Sequence, residues 1–132
     1  MNNSGNDMSN NGVKYDEGKT RWGLMPFREV SEVVDILTFG STKYADNNWQ
    51  HVEGGQGRYF DAMMRHIIQH RAATEQNDVE LKYDDETGKN HLAHAICCAI
   101  FLMWFDNKEK AELSEDGFYI PERIAPEDTE LA

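Results

Sequence analysis

His91-Leu92-Ala93-His94-Ala95-Ile96-Cys97-Cys98-Ala99-Ile100-Phe101-Leu102-Met103-Trp104-Phe105 is the stretch whose reading decides the fold. From Leu92 to Phe105 only His94 is polar, so a helix over about 90–106 is apolar on every face and belongs at the centre of the molecule. The uninterrupted apolar run, Ala95 to Phe105, is too short to span a bilayer. Upstream, Phe60, Met63, Met64, Ile67 and Ile68 share one stripe and predict a helix over 58–73. Further upstream, Val30, Val33, Val34 and Leu37 follow the i, i+3, i+4, i+7 spacing of a helix over 27–39. Pro26 suits its first turn and Gly40 its C-cap. No segment shows sustained strand alternation and no internal repeat occurs. The fold class is all-α, an antiparallel helical bundle around a central apolar helix. One short chain covers such a helix poorly, so completion by homo-oligomerisation is expected.

The chain has 132 residues and a formal net charge of −11. Residues 1–12 contribute −1 and are read as a disordered N-terminus. Residues 13–107, with −5, form the domain, and 108–132, also −5, an acidic C-terminal tail. Such a balance excludes binding of long nucleic acids by bare charge and argues against an anionic membrane surface. The two cysteines, Cys97 and Cys98, are adjacent in the apolar run. That placement suits buried thiols in a reducing compartment better than a disulfide framework. No charged n-region followed by an apolar h-region opens the chain, and a cytoplasmic protein is expected.

Chemistry-bearing residues cluster in the domain. His66 and His70 lie at i, i+4, and His91 and His94 at i, i+3, so each pair shares a helix face. Structural imidazoles and functional ones are equally consistent with that spacing. Glu32, with Asp85 and Glu86, offers acids from separate segments that can converge on Mg2+ or Mn2+. Lys14, Lys19, Arg21, Lys43, Arg58 and Arg65 come from several segments and can clamp a small phosphate chain or serve as solubility charges. Trp22, Phe39, Tyr44 and Trp49 can stack a base, although single aromatics more often belong to a core. The Lys14–Lys19 segment is not a P-loop, since no strand precedes it and its glycine spacing is wrong. A Cys97 nucleophile is rejected because mid-helix burial raises a thiol pKa and blocks access.

Taken in order, Lys14-x-Asp16-x-Gly18-Lys19, Leu24-x-Pro26, Thr38-Phe39-Gly40-x-x-Lys43-Tyr44, Asn48-Trp49, Arg65-His66 and Asp85-Glu86-x-Gly88-x-x-His91-Leu92-Ala93-His94-Ala95 form a pattern over about residues 13–106. It resembles the phage-type dATP/dGTP diphosphohydrolases, a branch of the all-α, MazG-like nucleoside triphosphate pyrophosphatases. The resemblance implies hydrolysis of a purine deoxynucleoside triphosphate to the monophosphate by a metal-activated water. It further implies Mg2+ or Mn2+ as cofactor, a site inside a homodimeric or homotetrameric bundle, and a role in remodelling the dNTP pool, in host cytoplasm if phage-encoded. Glu32 matches the first-helix metal donor, and Asp85 and Glu86 the acidic motif before Gly88. Glu29, particular to this sequence, joins them as a candidate metal ligand. Glu32, Glu86 and His66 are the expected catalytic groups. Lys14, Lys19, Arg21, Lys43, Asn48, Trp49, Arg65, His91 and His94 are the expected substrate contacts. One departure stands out: where the wider superfamily carries acidic pairs on its second and third helices, this chain has Arg65-His66 and His91-x-x-His94. Those imidazoles, His66 included, are therefore candidates for metal ligands or phosphate contacts.

Two competing readings remain. An HD-type phosphohydrolase needs a His-Asp dipeptide, which is absent. A non-enzymatic helical adaptor would use the apolar third helix and the acidic tail for assembly.

Overall fold

In a computed structural model of the chain, residues 11–113 are described, and they fall into two compact units, 11–24 and 25–113. The termini, 1–10 and 114–132, with most of the expected disordered start and acidic tail, lie outside the described residues.

The larger unit is all-α. Its helices are α1 (Phe27–Lys43), α2 (Gly55–Glu75) and α3 (His91–Leu113). Short 3-10 turns occupy Asn48–His51 and Glu80–Lys82 in the connections, and the β-contact present is an isolated bridge between Tyr83 and Asn90. Helix α3 packs against both other helices and supplies six buried residues, His91, Ala93, Ala95, Cys97, Cys98 and Phe101. It takes the central place its composition predicts. Gly55 meets Phe105, Tyr59 meets Phe101, and His66 meets His91 and His94. Positions rise along α2 as they fall along α3, so the two run antiparallel.

The core is small. Val33 and Ile36 of α1 meet Ala93, Cys97 and Phe101 of α3, with Leu37, Trp49 and Tyr59 packed around them. Trp49 stacks on Phe101 at 4.2 Å between centroids, and Tyr59 meets the same ring edge-on at 4.9 Å. Each such aromatic pair adds about 0.5–1.5 kcal/mol beyond the area it buries. On α3, Leu92, Ile96, Ile100 and Met103 follow a helical spacing and are 40–62 % exposed in the single chain.

All three helices outrun their expected ends. Helix α1 continues through Gly40 to Lys43, and the Tyr44 N–H closes it by donating to the Gly40 carbonyl. Gly40 is thus interior and not the C-cap. A glycine there costs a helix only about 1 kcal/mol relative to alanine, which the continuing backbone bonds outweigh. Pro26 sits just ahead of the first helical residue, and its carbonyl accepts from Val30 N–H. Helix α2 begins at Gly55, inside what reads as a glycine-rich loop. Gly54 turns the chain with φ +67°, and a Cβ on Gly55 would lie 2.8 Å from Phe105 Cζ. Glycine is required here by the approach of α3. Helix α3 extends to Leu113, so residues 108–113 are helical. Among the described residues no helix is long and apolar enough to cross a membrane.

The smaller unit is a short arm. Lys19 N–H donates to the Asp16 carbonyl around Gly18 (φ +83°), and a 3-10 turn covers Trp22–Leu24. Lys14 lies 3.8 Å from Asp16 across exposed surface.

Candidate functional site

Antiparallel packing brings the middle of α2 to the first turn of α3, and with it His66 to His91 and His94. The His66 and His91 Nδ1 atoms are 2.9 Å apart, while the His66 and His94 rings stack at 4.4 Å. His91 is buried at 5 % exposure; His66 and His94 are half-buried.

The loop before α3 brings a carboxylate to them. Tyr83 and Asn90 pair across its base, Asp84 N–H donates to the Lys89 carbonyl, and Gly88 N–H donates back to the Asp84 carbonyl. Gly88 makes the return with φ +73°. Inside this turn the Asp84 Oδ2 accepts from the backbone N–H groups of Glu86 and Thr87, each at 3.0 Å. Its partner Thr87 places Oγ1 2.7 Å from His94 Nε2 and 3.3 Å from Asp84 Oδ2, and accepts from Lys89 N–H at 3.2 Å. A hydroxyl has one proton and two lone pairs. Donation to Asp84 with acceptance from His94 and Lys89 therefore satisfies every member of this network.

Electrostatics follow from the burial. Loss of solvent, reinforced by the neighbouring His94 and His91, pushes His66 down to about 4. Burial also lowers His94, against the opposing pull of Asp84. Burial opposes the charge of Asp84, but the Thr87 backbone hydrogen bond and His94 more than compensate and hold it below the ordinary carboxylate range. At neutral pH His66 and His94 are therefore neutral imidazoles beside the anionic Asp84 carboxylate. Among the described residues, the group of three metal-capable side chains with donor atoms all within 4.8 Å of one another is His66, Asp84 and His91.

A cavity of about 630 Å³ opens beside the cluster, lined by His66, His94, Thr87, Glu86 and Lys43 together with Phe39, Tyr44, Trp49 and Tyr59. Lys43 bonds Glu86 at 2.9 Å, and that carboxylate raises the lysine pKa. A second cavity of about 700 Å³ carries Arg58, Arg65 and His51 and shares Tyr44, Asn48, Tyr59 and Ala62 with the first. An apolar, aromatic wall with convergent cations and a carboxylate suits a small anionic ligand.

The expected site residues divide. Lys43, Asn48, Trp49, His66, Glu86 and His94 line the first cavity, and Arg65 the second. His91 joins His66 behind the cavity wall. Of the four expected carboxylate metal donors only Glu86 lines the cavity. Glu29 and Asp85 are exposed, and Glu32 is half-buried on α1, where its charge acts on Lys89, itself paired with Asp35 at 2.9 Å. These acids are not drawn into a common donor group. Lys14, Lys19 and Arg21 lie on the arm; the Lys19 Nζ is shielded from solvent, with no hydrogen-bond partner among the described residues. One ring face of Trp49 is taken by Phe101. The sequence shows Asp84 as the first of three consecutive acids, Asp84-Asp85-Glu86, able to cap a helix or bind a cation, but favours Asp85 and Glu86 over it and gives Thr87 no role. The usable signal was an Asp followed three residues later by Thr and four later by Gly, the pattern of a side-chain-capped turn.

The molecule is thus an all-α protein in which an imidazole–carboxylate cluster adjoins a cavity sized for a small anionic ligand. Residues 9–115 match the family described as "dATP/dGTP diphosphohydrolase, N-terminal", and the chain belongs to that family. A curated relative, the dATP/dGTP diphosphohydrolase of Salmonella phage PMBT28, is 36% identical over 96 residues, covering 73% of this chain and 30% of the relative. The chain therefore spans under a third of that relative's length. No solved structure matches it.

Proposed function

We propose that this chain hydrolyses purine deoxynucleoside triphosphates, dGTP and dATP, to the monophosphate in a divalent-metal-dependent reaction. Membership of the family supports this reaction class. The observation that carries the reading to these residues is the cavity in which Lys43, Glu86, His66 and His94 share walls with aromatic side chains. Its volume falls in the range of small-ligand sites. In this reading the purine lies against Phe39, Tyr44 and Tyr59, and Lys43 counters phosphate charge. Arg58 and Arg65 in the adjoining cavity continue that positive lining toward the outer phosphates. Glu86, held by Lys43, is the acid placed to orient an attacking water. Mg2+ or Mn2+, when bound, supplies charge neutralisation on the phosphates and lowers the pKa of water.

The half-exposed row Leu92, Ile96, Ile100 and Met103 supports assembly as a homo-oligomer. Light scattering coupled to size-exclusion chromatography checks this directly: a monomer at micromolar concentration removes the oligomer from the reading.

The test of function is a panel of dNTPs and NTPs with Mn2+ or Mg2+, the products separated by chromatography. The expected result is dGMP from dGTP and dAMP from dATP, with little turnover of pyrimidines. Absence of any phosphate or pyrophosphate release across the panel overturns the reading and leaves a helical adaptor.

A further inference from the structure

We infer that His66, His91 and Asp84 form a binding site for a borderline transition-metal ion, of the Mn2+, Co2+ and Zn2+ class, that discriminates against Mg2+. The inference stands on donor atoms and does not depend on the nucleotide reaction proposed above. It departs from the all-carboxylate site that the family resemblance implies: those acids stay apart, and imidazoles occupy the converging positions.

Three observations carry it. The donor atoms of the three residues all lie within 4.8 Å of one another, and they come from three separate segments: α2, the 83–90 turn and the first residue of α3. An ion bound tetrahedrally at about 2.0–2.1 Å from each nitrogen holds its donors about 3.3 Å apart. The His66–His91 separation of 2.9 Å needs to open by only a few tenths of an ångström to meet that.

The carboxylate, second, is fixed before any ion arrives. Its Oδ2 is occupied by two backbone N–H groups and the Thr87 hydroxyl, which leaves its other oxygen as the donor. Supporting hydrogen bonds of this kind orient ligands in metal sites. His94, stacked on His66 and bonded to Thr87, completes the wall.

Third is the chemistry of the set. Two imidazole nitrogens and one carboxylate suit Mn2+, Fe2+, Co2+ or Zn2+, whereas Mg2+ demands near-octahedral oxygen ligation and retains its water. The competing account of the same geometry is a plain imidazole–imidazole hydrogen bond with one Nδ1 protonated, and the experiment separates the two.

The untagged full chain is titrated with Co2+, with Mg2+ in excess as competitor. Binding is read from the visible ligand-field absorption and from calorimetry, and no nucleotide is present. One Co2+ per chain, undisplaced by Mg2+, is expected. His66→Gln and Asp84→Asn are expected to weaken binding by at least the roughly 10–100-fold that loss of an outer supporting group costs. His51→Gln, outside the cluster, leaves it unchanged. Circular dichroism reports whether each variant folds. If a variant does not, the wild-type imidazole NMR signals decide: Co2+ broadens those of His66 and His91 and spares His51. No uptake of Co2+, displacement by Mg2+, or broadening confined to other histidines overturns the inference. Hydrolysis of dGTP by a chain that fails to bind Co2+ here would sink this site and leave the proposed function standing.

Discussion

Replacing Thr87 by Val tests whether the network behind the cavity is held by one hydroxyl. Valine keeps the β-branched shape and removes Oγ1 alone. Three contacts vanish: to His94 Nε2 at 2.7 Å, to Asp84 Oδ2 at 3.3 Å and from Lys89 N–H at 3.2 Å. Asp84 retains two backbone donors, so its loss is small. His94 loses its bonded partner while its side chain is only 15 % exposed. Leaving such a buried polar group unpaired costs about 1–3 kcal/mol. For a domain of this size each kcal/mol lowers Tm by roughly 4–8 °C, so a drop of about 4 °C or more is expected at neutral pH. Thr87→Ser keeps the hydroxyl and loses one methyl, about 0.8 kcal/mol if fully buried. The assay is urea unfolding followed by circular dichroism at constant protein concentration, comparing Val with Ser. A Val variant within about 0.5 kcal/mol of wild type, or indistinguishable from Ser, refutes the assignment of Thr87 as the hub.

Other outcomes follow from the same geometry. Gly55→Ala drives a Cβ to 2.8 Å from Phe105 Cζ and should destabilise the fold by about 1–3 kcal/mol. Phe105→Leu in the same chain should recover part of that loss, and denaturant midpoints of the four chains give the coupling. Burial, with Cys98 close by, pushes the Cys97 thiol up to about 12, and burial pushes Cys98 up to about 11. Both thiols should resist a maleimide at pH 8 in the native chain and react at once in denaturant; rapid native labelling contradicts the burial. Since folding raises both pKa values, the folded state retains protons that the unfolded chain releases above about pH 9. The thiols' contribution to stability is therefore complete below pH 9 and declines as pH climbs toward 11–12, which unfolding curves at stepped pH will show. Arg65→Ala, in the second cavity, should raise KM for dGTP with kcat little changed, and a pure kcat effect would place the guanidinium at the transition state.

The helices were legible because their apolar residues recur at helical spacing and because Leu92–Phe105 leaves no polar face. Their ends were not. Gly40 and Gly55 read as punctuation, yet one is tolerated inside α1 and the other exists to admit Phe105. The imidazoles were visible as same-face pairs, but the partner of each pair was not, since the α2–α3 register is set by packing between distant residues. Asp84, Asp85 and Glu86 are consecutive acids, and composition offers no way to choose among them. The choice is made by a turn whose closure depends on Gly88 at φ +73° and on backbone donors at Glu86 and Thr87. Asp84 turns inward, Asp85 faces water and Glu86 meets Lys43.

The close approach of Gly55 to Phe105 has a consequence at the far end of the helix pair. Eleven residues separate Gly55 from His66, about 16 Å along the axis at 1.5 Å per residue. With the glycine contact as fulcrum at one end of the packed pair, α2 acts as a lever. A wedge there tilts α2 away from α3 and displaces His66 relative to His91, an imidazole gap that is only 2.9 Å wide. A missing methyl group thus calibrates a distance between nitrogens three helical turns away.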